Sequence, residues 1–198
     1  MVDVLFICTG NIARSPLAAQ LLRARLAAPQ ISVSSAGTHA LTGQRMAPLA
    51  LDVAQRWALP ATDAHAHRAR RLDEQIVTSA DLVLGVAREH RRAAVELNPA
   101  RMRAAFTLLE FERLARHVSD NEIAAAVAES DSRAPRDRLR AALRLLASTR
   151  GLVEPPRNAA DDDVDDPMGH AMDAYDSAMA VTAPAVDQVV RVLRAALR

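Results

Sequence analysis

Short apolar runs of strand length alternate along this chain with longer stretches of helical periodicity. Val4-Leu5-Phe6-Ile7 is an unbroken apolar run, and Leu17, Leu21, Leu22 and Leu26 recur at the spacing of one helix face, predicting a helix from about Ser15 to Leu26 that stops before Pro29. Ile31-Ser32-Val33-Ser34-Ser35 alternates as a second strand and ends at Ala36-Gly37-Thr38. Strand, helix and strand in this order make a βαβ unit, so the sheet is expected to be parallel with a right-handed crossover. A second helix is predicted over Met46–Leu59, with Leu49, Val53 and Trp57 at helical spacing. A third strand follows at Ala80–Gly85, a helix at Ala87–Leu97 before Pro99, and a fourth strand at Ala105–Leu108. The pattern predicts a three-layer α/β/α domain on a four-stranded parallel sheet, and such sheets bind ligands beyond the carboxyl ends of their strands.

From about residue 118 to 153 the pattern changes to two helices, Asn121–Ala128 and Arg136–Ala147, separated by Pro135. They are expected to form a helical insertion within one domain spanning 1–198. Leu139, Leu143 and Leu146 line one side of the second helix, while Arg136, Arg138, Arg140 and Arg144 crowd the rest. A packed helical pair with a solvated arginine face is expected, with a lid or a homodimer contact as the other expectation. Pro155-Pro156 then precedes the acidic run Asp161-Asp162-Asp163-Val164-Asp165-Asp166. Met172–Leu197 is predicted to be helical, kinked or divided at Pro184, with Met172, Tyr175, Met179, Val186, Val190, Leu193 and Leu197 on its core face.

Composition narrows the function classes. Half of the 198 residues are apolar, enough for one substantial core. The formal net charge is +1, so no global field argues for nucleic acid or a membrane surface. No apolar run approaches membrane-spanning length. One cysteine excludes an internal disulfide and fits a reducing, cytoplasmic setting.

That cysteine opens the stretch Cys8-Thr9-Gly10-Asn11-Ile12-Ala13-Arg14-Ser15-Pro16, between the first strand and the first helix. Ser15 is a suitable N-cap and Pro16 suits the first helical position. The helix amino end then points into the loop, where consecutive amides form a concave anion site. Gly10 and Asn11 are residue types that tolerate the unusual φ/ψ of such a nest. The same field favours a thiolate at Cys8, and Arg14 can return to grip two oxygens of a tetrahedral oxyanion with its planar fork. The loop thus offers a nucleophile inside a phosphate-shaped cradle of Thr9, Gly10, Asn11, Ile12 and Ala13. A small buried hydrophobe is the plain alternative for Cys8, but it explains neither Gly-Asn nor Arg-Ser-Pro.

These residues resemble the low molecular weight protein tyrosine phosphatase family, whose loop reads C-x-G-N-x-C-R-S-P. Ala13 stands where many members carry a second cysteine, so the protective disulfide that the family can form is absent here. Ser34–Thr38 and His67-x-Ala69-Arg70-x-Leu72 resemble the family's second and third landmarks, and Asp166-Pro167, with Val164 before it, resembles its Asp-Pro loop. The resemblance implies a phosphotyrosine protein phosphatase I-like fold and two-step hydrolysis through a phosphocysteine, without cofactor or metal. It implies Cys8 as nucleophile, Arg14 as phosphate ligand and Asp166 as general acid. It also implies Ser15 as a donor to the sulfur, and Asn11, Ser35 and His67 as braces.

A leaving oxygen needs a proton, so a carboxylic acid must reach the loop's mouth, and Asp165 is the rival to Asp166. The acidic run also raises a metal site, for which no histidine or glutamate has suitable spacing. The expected substrate is a phosphotyrosine protein or another aryl phosphomonoester, held by a shallow wall of Thr9, His39, Leu41 and Met168. Family members often carry tyrosines after the Asp-Pro pair, where this chain has Met168 and Gly169. A single-cysteine arsenate reductase using an external thiol and a non-catalytic anion-binding module are the competing functions. Asp166-Pro167 favours the phosphatase, because arsenate reduction has no alkoxide to protonate.

Overall fold

The first apolar run is the strand that everything else is laid against. In the computed structural model, which describes residues 1–26 and 28–198, β1 (Val2–Cys8) runs parallel to β2 (Ile31–Gly37) on one side. On its other side lies β3 (Leu82–Gly85), which pairs with β4 (Ala105–Thr107). The order β2-β1-β3-β4 is all parallel, as the βαβ pattern requires.

Helices follow in the order α1 (Arg14–Leu26), α2 (Pro48–Arg56), α3 (Ala61–Ala66), α4 (Glu74–Ser79), α5 (Arg88–Leu97) and α6 (Leu108–Ala115). The chain continues with α7 (Asp120–Glu129), α8 (Pro135–Ser148) and α9 (Met172–Leu197). Because strand side chains alternate, Val2, Val4 and Phe6 enter the large core beneath α1 and α6–α9, while Leu5 and Ile7 pack with Leu72, Val77 and Ala94 under α4 and α5. Both faces of the sheet are therefore covered, and the two central strands, β1 and β3, are apolar where they cross its middle. No helix among the described residues is long and apolar enough to cross a membrane.

Several local expectations are corrected. The first helix begins at Arg14, so Ser15 lies inside its first turn instead of capping it. The second helix starts at Pro48, where proline suits the first turn; Met46 and Ala47 are buried in the loop before it, and the Ala47 N–H donates to the Ile12 carbonyl at 2.9 Å. Trp57 falls just past the end of α2 and is 36% exposed, outside the core face expected for it. Pro184 neither divides nor ends α9. Pro184 and Ala180 both face solvent, so the carbonyl left without a partner can be hydrated. Helices α3, α4 and α6 were not anticipated. The cue for α6 is a capping box in which Thr107 accepts from the Glu110 amide while Glu110 accepts from the Thr107 amide.

Helices α7 and α8 bury Ile123, Leu139 and Leu146 completely in the same core as Phe106 and Val186. They are structural members of the helical layer, and no residue between 118 and 153 lines the pocket around Cys8, so they do not form a lid over it.

Candidate functional site

The loop after β1 owes its shape to where its carbonyls go. Those of Cys8, Thr9 and Gly10 accept from Thr38, His39 and Leu41, and that of Ile12 accepts from Ala47. In a planar trans peptide, each carbonyl turned outward turns the following N–H inward. The result is a bowl of amides at the carboxyl end of β1, with the amino end of α1 behind it. Asn11 takes the left-handed conformation, φ 57°, which asparagine adopts more readily than most residues. Gly10 does not: its φ is not positive, and an added Cβ would meet Ile12 only at 3.5 Å. The glycine that the bowl requires is Gly37, where a Cβ would come within 2.4 Å of the Thr9 carbonyl oxygen.

Cys8 is buried at the bottom, and its sulfur accepts from the Asn11 amide at 3.2 Å and the Ser15 hydroxyl at 2.9 Å. Both donors can hold a sulfur anion. Asn11, fully buried, uses every polar group it has. Its side-chain N–H groups donate to Ser15 Oγ at 3.0 Å and Ser35 Oγ at 2.9 Å, its Oδ1 accepts from the Arg70 amide at 3.0 Å, and its carbonyl lies 2.7 Å from His67 Nε2. Since a carbonyl only accepts, His67 carries its proton on Nε2. Burial lowers the His67 pKa most; the Asn11 bond opposes this, and Arg23, Arg68 and Arg70 add to the lowering.

Arg14 is nearly buried and reaches three partners. Its Nη1 donates to the Val164 carbonyl at 3.0 Å, and its Nη2 to Thr9 Oγ1 at 3.3 Å and Asp166 Oδ2 at 2.5 Å. Val164 brings the late segment here. Its N–H donates to the Val86 carbonyl at 2.8 Å, and its side chain packs with Cys8, Val86 and Ala178. The neighbouring aspartates are spread over separate partners: Asp162 pairs with Arg113 at 2.9 Å and Asp163 with Arg88 at 2.8 Å. No group of three or more His, Cys, Asp or Glu suited to holding a metal occurs among the described residues.

Cys8, Thr9, Gly10, Ile12, Ala13, Arg14, His39, Leu41, Asp166 and Met168 line one open pocket of about 260 Å³. Asn11, Ser15, Ser35 and His67 stand behind it as supports. Asp166 is half exposed at the mouth, whereas Asp165 points to solvent outside the lining. Met168 accepts a hydrogen bond on its sulfur from the buried Tyr175 hydroxyl at 3.3 Å, so the one tyrosine underlies the wall instead of facing the pocket.

Two further groups belong to the site: Arg70, which lies in the landmark stretch His67–Leu72 without a role implied there, and His90, which carries no sequence signal. Arg70 donates through Nε to the Ser35 carbonyl at 2.8 Å. His90, from the first turn of α5, is completely buried with Nε2 3.0 Å from Thr9 Oγ1, and its Nδ1 has no partner. Burial, then the Arg14 cation, pushes its pKa down to about 4, with Asp166 and Asp163 opposing and His39 adding to the fall. A neutral imidazole therefore backs Thr9, which in turn accepts from Arg14.

The family profile described as low molecular weight phosphotyrosine protein phosphatase matches residues 3–150. EpsP of Ralstonia solanacearum, described as a probable low molecular weight protein-tyrosine-phosphatase, is 37% identical over 110 residues, covering 56% of this chain and 72% of that protein. Etp of Escherichia coli K12, a low molecular weight protein-tyrosine-phosphatase, is 36% identical over 97 residues, 49% of this chain and 62% of its own length. The YwlE arginine phosphatase structure from Geobacillus stearothermophilus superposes with a TM-score of 0.67 at 24% identity, covering 98% of this chain and 94% of that one. The matched residues of the profile end before Asp166, whose place in the site rests on geometry.

Proposed function

Because this chain belongs to the low molecular weight phosphotyrosine protein phosphatase family, we propose that it hydrolyses phosphotyrosine or another aryl phosphomonoester on a protein through a phosphocysteine at Cys8. The observation that carries the proposal is the convergence of Cys8, Arg14 and Asp166 on one bowl, although 152 residues separate Arg14 from Asp166. In the first step the Cys8 thiolate attacks phosphorus, the ester P–O bond breaks, and the Asp166 carboxylic acid protonates the departing oxygen. In the second, the Asp166 carboxylate takes a proton from water, the water oxygen bonds to phosphorus, and the S–P bond breaks. Ser15, 2.9 Å from the sulfur, donates to it as it leaves.

The Arg14–Asp166 pair couples binding to acid chemistry. A phosphoryl group that takes over the Arg14 fork removes the cation from Asp166 and sets a dianion beside it. The carboxyl is then free of the arginine and can turn to the leaving oxygen. Ile12, Leu41 and Met168 give the pocket an apolar wall, which suits the face of an aryl ring. A phosphorylated guanidine, the other substrate suggested by the relatives' names, needs acceptors for its N–H groups. Among the described residues the pocket lining holds one carboxylate, Asp166, and the first step uses it as the proton donor, so it offers no anionic acceptor to a guanidinium. A single thiol at the centre of the chemistry suits the reducing cytoplasm.

The test is acid-quenched turnover of a phosphotyrosine peptide and of para-nitrophenyl phosphate, with peptide mapping of the trapped phosphate. The label is expected on Cys8, with both activities lost in Cys8→Ser. A label elsewhere, or undiminished turnover in that variant, overturns the assignment. Thiol-dependent release of arsenite from arsenate with no ester hydrolysis would instead identify the reductase.

A further inference from the structure

At the amino ends of the central strands, opposite the Cys8 bowl, five arginines converge on a second cavity of about 200 Å³. Arg136, Arg140 and Arg144 come from one face of α8, Arg101 and Arg103 from the 3-10 turn at Pro99–Ala104, and Asp81 is the only carboxylate in the wall. Arg136 is held by Asp3 at 2.6 Å and Asp81 at 3.1 Å, Arg140 by Asp137 at 2.8 Å, and Arg101 by the Thr78 carbonyl. Arg103 and Arg144, both exposed, enter no ion pair among the described residues. In a chain whose formal net charge is +1, this is a local concentration of cations.

The geometry points to a binding site for a small, non-aromatic polyanion carrying two or more phosphoryl groups. Arginine's fork matches phosphate oxygens in pairs, and the two unpaired forks, Arg103 and Arg144, stand on opposite walls of the cavity, so each can take a phosphoryl group of its own. Residues 136 to 144 extend roughly 12 Å along the helix axis, longer than a single phosphate and suited to a short chain of them. Ala100, Ala104 and Leu143 complete the wall, with no aromatic face on which a nucleobase could stack. Asp3 and Asp81 mark the amino ends of β1 and the approach to β3, whereas Cys8 ends β1, a separation of roughly 17 Å along the strand. That exceeds about two screening lengths at physiological salt, so the cavity acts independently of the Cys8 bowl.

The test is thermal unfolding of the full chain with inorganic triphosphate, at an ionic strength held constant with sodium chloride. The Cys8 bowl also takes phosphate, so the measurement is repeated in Arg14→Ala and in the double variant Arg103→Gln/Arg144→Gln. At a hundred times its Kd the ligand should raise Tm by roughly 5–10 °C. The rise is expected to persist in Arg14→Ala and to disappear in the double variant, whose hydrolysis of para-nitrophenyl phosphate without triphosphate stays unchanged. No rise in the unsubstituted chain, a rise lost in Arg14→Ala, or a rise kept in the double variant overturns the proposal. So does an equal response to a poly-glutamate peptide, which would mark the cavity as a protein-docking patch.

Discussion

Replacing His90 with glutamine removes a titrating group from behind the bowl while keeping a side chain that can bond Thr9. Burial holds the wild-type imidazole at a pKa of about 4 in the fold, against the ordinary histidine value of 6.5. Between these values the unfolded chain binds a proton that the folded chain does not, so stability rises with pH and is lost as the pH falls through the window. The complete shift corresponds to roughly 3 kcal/mol, of which about 2 kcal/mol is lost between pH 7 and pH 5. Glutamine does not titrate, so His90→Gln lacks this component. His67, whose pKa is also lowered, is common to both proteins and cancels in the comparison. Urea unfolding of both proteins at pH 7, 6 and 5 gives the difference directly. The wild type is expected to lose about 2 kcal/mol more than the variant between pH 7 and pH 5. Parallel losses would refute the burial of a neutral imidazole against Thr9, and a steeper loss in the variant would reverse its sign.

Asp166→Asn is expected to lower kcat by about a hundredfold or more, with the larger loss on phenyl phosphate than on para-nitrophenyl phosphate, because the poorer leaving group depends more on the acid. Asp165→Asn should stay within about twofold, since its side chain lies outside the pocket; steady-state assays of both esters decide, and loss in Asp165→Asn alone would move the acid by one residue. Gly37→Ala places a Cβ against the backbone of Thr9 and Asn11, and neither can yield without deforming the bowl. A loss of about 2 kcal/mol in urea unfolding, together with a fall in kcat/KM, is the expected outcome.

The sheet and the Cys8 loop were legible because their signals are local. An apolar run, a Gly-Asn pair and an Arg-Ser-Pro helix start lie within a dozen or so consecutive residues, and each has its own physical cause. Reading the loop glycine as the residue needing freedom was natural but misplaced: Asn11 carries the positive φ, and the close approach occurs at Gly37 on the neighbouring strand. Long-range partners leave no such trace. His90 is 81 residues from Thr9, and nothing in the spacing of Arg-Glu-His-Arg-Arg distinguishes the buried imidazole from its exposed neighbours. The α8 arginines Arg136, Arg140 and Arg144 are the solvated face that the sequence predicts, but their neighbours Arg101 and Arg103, some forty residues away in the chain, left no trace in it. Pro184 does not divide the last helix, because the break it would cause depends on which side of the helix it faces, a property fixed by tertiary packing. Thr107 ends a strand and starts a helix at once, so an apolar run read as strand concealed the capping box beginning there.

Asn11 has a consequence for biosynthesis. Its bonds reach Ser35, His67 and Arg70, while the arginine three positions later waits for Val164 and Asp166. A ribosome that has released only the first forty residues has already delivered the whole signature and Ser35, but not His67, Arg70, Val164 or Asp166, so the nascent peptide can hold it only in part. Competence to bind and cleave an ester therefore comes late in translation, when the distant segments have emerged. An unfinished chain carries Cys8 without the distant residues that complete its surroundings.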